Sequence, residues 1–176
     1  MRKVKYIAIL ALIAISTGGC GKIQQLPDEP HVEFRSFTVS DTTDLLGNNN
    51  KVGKLLFYFE DGNGDLGLDP AEVSNNDDTV NLFLTLFKKI GGVMVQVPDT
   101  GDLMKPGNYT IPFLKSPAQN KILKGTISVG FYYTFYNTID KDTFRYTFFI
   151  KDRAGNISNP DSTVEIPLSV NGLYIR

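Results

Sequence analysis

Residues 143–151 read T-F-R-Y-T-F-F-I-K. In an extended chain, successive side chains point to opposite faces, so Tyr146, Phe148 and Ile150 share one face. The next segment, residues 152–160, reads D-R-A-G-N-I-S-N-P, a concentration of turn-forming residues. Alternation then resumes over residues 162–170. This order of strand, turn and strand decides the fold class, and the rest of the chain repeats it.

Working outward, strands are expected at residues 32–40, 54–60, 79–89 and 93–97. Leu55, Phe57 and Phe59 share one face of the second, and Val80, Leu82, Leu84 and Leu86 one face of the third. Residues 41–51 (D-T-T-D-L-L-G-N-N-N-K) read as a polar loop. Gly91-Gly92 reads as a tight hairpin, because two glycines reach positive φ without steric cost. Residues 109–114 contain Pro112 and suit an edge strand. Residues 121–136 form a long strand region, with breaks or bulges expected at Gly125 and Gly130. The chain is rich in Phe, Tyr, Val, Ile and Thr, which favour pleated surfaces. Seven or eight antiparallel strands in one all-β domain follow.

The final third carries a resemblance. Tyr146-x-Phe148-x-Ile150, then Asp152-Arg153-Ala154-Gly155-Asn156-Ile157-Ser158, then Val164-x-Ile166 resembles the end of a bacterial immunoglobulin-like or fibronectin type III-like β-sandwich. The resemblance implies strands F and G, joined by a turn at Gly155, with Tyr146 near a tyrosine corner. It also makes residues 54–60 strand B, so that the B–C and F–G loops leave the sandwich at the same pole.

Residues 61–72 read D-G-N-G-D-L-G-L-D-P-A-E. Asp61, Asn63 and Asp65 are spaced by two, and Asp69 and Glu72 stand ninth and twelfth, as in an EF-hand ladder. Calcium takes 6–8 oxygen ligands, and alternate Asp and Asn on a turning loop supply them. The sixth place holds Leu66 where an EF-hand has glycine, and a strand precedes the loop where an EF-hand has a helix. The same residues serve as turn formers without any ion. If the loop poles coincide, Asp152 and Asn156 join Asp61, Asn63 and Asp65 in one calcium site. The stretch F-E-D-G-N-G-D-L-G resembles one that recurs in secreted lipoproteins of Bacteroidota-type bacteria.

At the other end of the chain, Arg2, Lys3 and Lys5 precede the apolar run Y-I-A-I-L-A-L-I-A-I at residues 6–15. That order marks a secretory signal, and the run is about half the ~20 residues a spanning helix needs. Thr17-Gly18-Gly19-Cys20 resembles a bacterial lipobox, with Thr17 where an aliphatic residue is usual. The resemblance implies a signal peptide over residues 1–19, lipid on Cys20, a tether over 20–30, and the domain over 31–176. Gly21 stands where an Asp would favour the inner membrane, which implies the outer membrane. Removing residues 1–19 leaves 15 Lys and Arg against 19 Asp and Glu, a net charge of −4. With no basic block, nucleic acid is not expected as a partner.

Within F-Y-Y-T-F-Y, residues 131–136, Phe131 and Tyr133 face one way and Tyr132 and Tyr136 the other. Tyr132 and Tyr136 are candidates for stacking on a sugar or a protein, although cross-strand packing also explains such aromatics. No P-loop, nucleophile elbow or dinucleotide fingerprint occurs, and no enzyme activity is expected. The sequence therefore supports a membrane-anchored envelope protein with a non-catalytic binding or structural domain, contacting protein or glycan. A carbohydrate-binding lipoprotein of an outer-membrane nutrient-uptake system is the alternative, and a glycan hydrolase ranks below both.

Overall fold

A computed structural model describes residues 26–68, 79–98, 107–114, 121–133 and 143–176. Among these residues there is no helix. Nine strands occur in chain order: β1 His31–Thr43, β2 Asn49–Asp61, β3 Leu82–Ile90, β4 Val93–Gln96, β5 Leu123–Tyr133, β6 Thr143–Ile150, β7 Asp161–Ser162, β8 Ile166–Pro167 and β9 Gly172–Tyr174. They build two antiparallel sheets. One runs β5-β2-β1-β9; the other runs β4-β3-β6-β7, with β8 also paired to β6. With β1, β2 and β5 as A, B and E, and β3, β4 and β6 as C, C′ and F, this is the strand order of an immunoglobulin-like sandwich of the fibronectin type III kind.

Alternation places the core as expected. Leu55, Phe57 and Phe59 of β2, Leu82, Leu84 and Leu86 of β3, and Tyr146, Phe148 and Ile150 of β6 are buried. Phe37 stacks on Phe131 at 5.8 Å between ring centroids, and Phe57 meets Phe148 across the sheets at 5.0 Å. Gly53 makes room for this packing: a Cβ there would lie 2.6 Å from Phe37 Cζ and 2.9 Å from Tyr133 Cε2. The hydroxyls of Tyr133 and Tyr146 lie 3.0 Å apart in the core. This pair joins the two sheets near the start of β6, where the tyrosine corner was expected. Burial raises the Tyr133 pKa far above the ordinary phenol value, so its hydroxyl stays protonated.

Several boundaries differ from the sequence expectation. Residues 41–51 are mostly strand: β1 continues to Thr43 and β2 resumes at Asn49, leaving a tight turn at residues 44–48. Asp41 pairs with Lys51 across this hairpin, and the two side chains form an ion pair at 2.6 Å. Polar side chains here satisfy one another along a ladder whose backbone is already paired. The bulges expected at Gly125 and Gly130 are absent, because β5 pairs with β2 in unbroken register from Leu123 to Tyr133. The irregularity falls in β1 instead, between Phe34 and Ser36. Residues 109–114 form isolated bridges at Tyr109 and Pro112 in place of a full edge strand. The last expected strand divides into β7 and β8, and the chain then crosses to the other sheet as β9.

Two side chains act as substitute strand partners beside the bulge. Asn159 accepts from Val32 N and donates to Val32 O, both at 2.9 Å. Asp161 accepts from Phe34 N at 2.6 Å. They tie the first half of β1 to the opposite sheet, and β9 takes over the same edge from Phe37 to Val39.

The tyrosine pair gives a test of the core. Tyr133→Phe or Tyr146→Phe alone breaks this buried hydrogen bond and should cost about 1–3 kcal/mol by chemical denaturation. The double variant removes both hydroxyls and should cost clearly less than the sum of the two.

Candidate functional site

Strands β2 and β6 end at the same pole, and this brings the two acidic segments together. Asp61 is the last residue of β2, and Asp152 follows β6 by two residues. Both are buried. The backbone N–H of Arg153 donates to Asp65 O at 3.3 Å, which joins the loop after β6 to the loop after β2.

Each carboxylate has a distinct local task. Asp61 accepts from Gly64 N at 3.2 Å and from Leu66 N at 2.7 Å, so it fastens the start of its own loop. Asp152 accepts from Asn156 N and Asn156 Nδ2, both at 2.8 Å, and closes the turn at Gly155. Asn63 accepts from Asp65 N at 3.3 Å. Asp65 Oδ1 is buried and has no hydrogen-bond partner. Burial raises the Asp61 pKa, opposed by the N–H groups of Leu66 and Gly64 and reinforced by the charge of Asp152. Burial likewise raises that of Asp65, with the charges of Asp152 and Asp61 adding to it. The three carboxylates are thus close enough to repel.

The glycines of this loop serve close packing. Gly64 has φ of 70°, and a Cβ there would lie 1.7 Å from Lys121 O. Gly67 has φ of 94°, and its Cβ would lie 2.3 Å from Pro112 O. Only glycine fits such backbone-to-backbone approaches. Leu66, which departs from an EF-hand at its sixth place, is fully buried and caps the core. The loop therefore closes the end of the sandwich whatever else it does.

Arg153 belongs to this pole and was not singled out by its sequence. Its guanidinium donates to Gly67 O at 3.3 Å and lies 4.7 Å over the Phe113 ring. Its charge lowers the Asp65 pKa, partly offsetting the upward shift. Asn81 is another unforeseen fastener: it accepts from Ile111 N at 2.6 Å and donates to Ile111 O at 3.2 Å. Arg153 stands in the turn segment that carries the fold resemblance, but the role of neither residue could be read locally, since each partner is remote in the chain.

The donor set suits a hard cation in chemistry. Each carboxylate oxygen that accepts one N–H retains a lone pair, and Asp65 Oδ1 retains both. Among the described residues, no three Asp, Glu, His or Cys side chains already stand in metal-holding geometry. Asp69 and Glu72 lie outside the described residues, as do Cys20 and Tyr136. Tyr132 is 73% exposed on the outer face of β5, opposite the buried Phe131 and Tyr133. No family model matches the chain, and no curated protein or solved structure is significantly similar to it.

The raised carboxylate pKa values determine a pH dependence. The folded value for Asp65 lies above the unfolded 3.8, so the folded state holds this proton more tightly. The destabilisation is complete above the folded pKa and is relieved as pH falls toward 3.8. Asp65→Asn should therefore raise the melting temperature at pH 7 in chelator. The gain should shrink as the pH is lowered through the carboxylate range in paired thermal melts.

Proposed function

We propose that this is a lipid-anchored protein of a Bacteroidota-type cell envelope, whose immunoglobulin-like domain is a non-catalytic binding or structural module. Lipid on Cys20 holds it to the membrane, in the outer-membrane lipoprotein manner, and its partners are protein or glycan at the cell surface. The observation that carries the non-catalytic reading is the use made of the buried acids. Both oxygens of Asp61 and both of Asp152 accept hydrogen bonds from their own loops. Carboxylates engaged in this way fasten turns, whereas a glycosidase pair needs one free acid and one free base facing a substrate.

Calcium at the Asp61 pole is part of the proposal. Asp65 Oδ1 supports it as a buried oxygen without a donor. Asn63 accepts from Asp65 N, the charges of Asp61 and Asp152 bear on Asp65, and Asp69 and Glu72 follow in the chain. An ion there would relieve the repulsion among Asp61, Asp65 and Asp152. The alternative function, carbohydrate binding within a nutrient-uptake system, is favoured by the exposed ring of Tyr132.

Three measurements test these readings. Cys20→Ser should abolish incorporation of labelled fatty acid and release the protein from the membrane fraction; retention of label would overturn the anchor. Calcium at about a hundredfold excess over its Kd should stabilise the domain by about 2.7 kcal/mol. Asp65→Asn should remove most of that gain, and an unchanged melting temperature with calcium overturns the metal site. In a polysaccharide pulldown, retention that is lost with Tyr132→Ala would favour the carbohydrate reading over a protein partner.

A further inference from the structure

A buried lysine stands where the ends of three strands meet. Lys51 lies on the inward face of β2, in line with Gly53, Leu55 and Phe57, and is 6% exposed. Lysine is almost never buried to this degree unless it is paired. Its register partner on β1 is Asp41, whose Oδ1 lies 2.6 Å from Lys51 Nζ. On the other side of β1, Gly172 of β9 lies opposite Val39. Asn171, the residue before it, therefore reaches the same point from the opposite flank. Lys51 Nζ donates to Asn171 Oδ1 at 2.6 Å, and Asn171 Nδ2 donates to Asp41 Oδ2 at 2.5 Å. The three side chains close a ring: amine on amide oxygen, amide nitrogen on carboxylate, carboxylate on amine.

This ring differs from an ordinary ion pair in what the amine touches. A C=O bond is about 1.2 Å long, so the amide carbon of Asn171 lies within about 3.8 Å of Lys51 Nζ. That approaches the separation at which a nucleophile attacks a carbonyl. Asp41 keeps one oxygen on the amine and the other on the amide nitrogen that would depart. Hydrogen bonds from Lys51 and Asn171 lower its pKa, so it stands as a carboxylate, the form that accepts a proton. One group is thus placed to take a proton from the nucleophile and to deliver one to the leaving group. Lys51 is buried, whereas Asp41 and Asn171 are exposed, which gives released ammonia and a proton an exit to water. The chain has a single cysteine, so no disulfide within it can join distant segments.

We propose that Lys51 and Asn171 join in an intramolecular isopeptide bond, with Asp41 as the acid–base group. Asp41 takes one proton from the ammonium, and the lone pair of Nζ attacks Cγ of Asn171. The Nζ–Cγ bond forms, the Cγ–Nδ2 bond breaks, and Nδ2 leaves as ammonia. Nζ gives up two protons in all: one departs in the ammonia, and the other stays on Asp41 until water removes it. The step runs once per molecule, so a slow reaction completes it. The bond ties β2 to the start of β9 across 120 positions of sequence. Like a disulfide, such a link acts mainly by restricting the unfolded chain.

The experiment incubates the purified full chain at neutral pH and then digests it. A linked peptide pair containing Lys51 and Asn171 should appear, lighter than its two parts by one ammonia, about 17 Da. The boiled, reduced chain should also run ahead of Lys51→Arg on a denaturing gel. Lys51→Arg and Asn171→Ala should each abolish the link. Asp41→Ala, shown to be folded by a cooperative thermal melt, should slow its formation at least about a hundredfold. Asn171 precedes Gly172, where an amide also loses ammonia by closing on the next backbone nitrogen, but that product joins no peptides and persists in Lys51→Arg. Wild-type peptides recovered only unlinked, with or without that cyclic product, overturn the proposal. So does a link that forms at the wild-type rate in Asp41→Ala.

Discussion

Aromatic rings from β1, β2, β5 and β6 meet between the two sheets, and their contacts fix how the sheets face each other. Phe37 touches Phe131, Phe144 and Tyr146, and Phe57 touches Phe148. These are edge, tilted and offset arrangements, which the charge distribution of the rings favours. They leave little freedom to slide one sheet over the other, because core packing tolerates few voids. Gly53 is needed where two of these rings lean over β2, and the Tyr133–Tyr146 pair satisfies the polar atoms that come with them.

Once the sheets are locked, the rest of the architecture follows from where strands end. β2 and β6 stop at one pole, so their exit loops meet there. Asp61 and Asp152 organise those loops, and Leu66 and the close approaches at Gly64 and Gly67 seal the core beneath them. Three like charges gathered in partial burial are the electrostatic cost of this closure. Arg153 offsets part of it. The same geometry that makes a cap therefore also makes a place attractive to a cation. The opposite pole is built from hairpin turns, which close locally and are free to present apolar side chains outward.

Much of the fold was legible because strand patterns are local. Leu55-x-Phe57-x-Phe59 and Tyr146-x-Phe148-x-Ile150 announce a buried face through side-chain alternation alone. Gly91-Gly92 announces its turn equally well, and both residues adopt positive φ. Where local character and pairing diverged, pairing prevailed. Residues 41–51 look like a loop by composition, yet each half finds a strand partner in the other. Gly125 and Gly130 look like interruptions, yet β2 holds β5 in register through both. The bulge at Phe34/Ser36 has no comparable local mark, since its companions Asn159 and Asp161 lie far along the chain.

The acidic loop shows the same division. Its spacing of Asp61, Asn63 and Asp65 reads as a calcium ladder or as plain turn formers, and the strand assignment put the loop of Asp152 at the same pole. By itself, then, the sequence determined most of the strands, the class of sandwich, and the residues able to turn or carry charge. Tertiary structure alone decided that Leu66 is core, that Arg153 joins the acids, that Asp65 keeps an oxygen without a donor, and that Lys51 meets Asn171 beside Asp41. Alternation and turn chemistry act over a few residues, whereas these outcomes depend on segments far apart in sequence that meet only when the two sheets close.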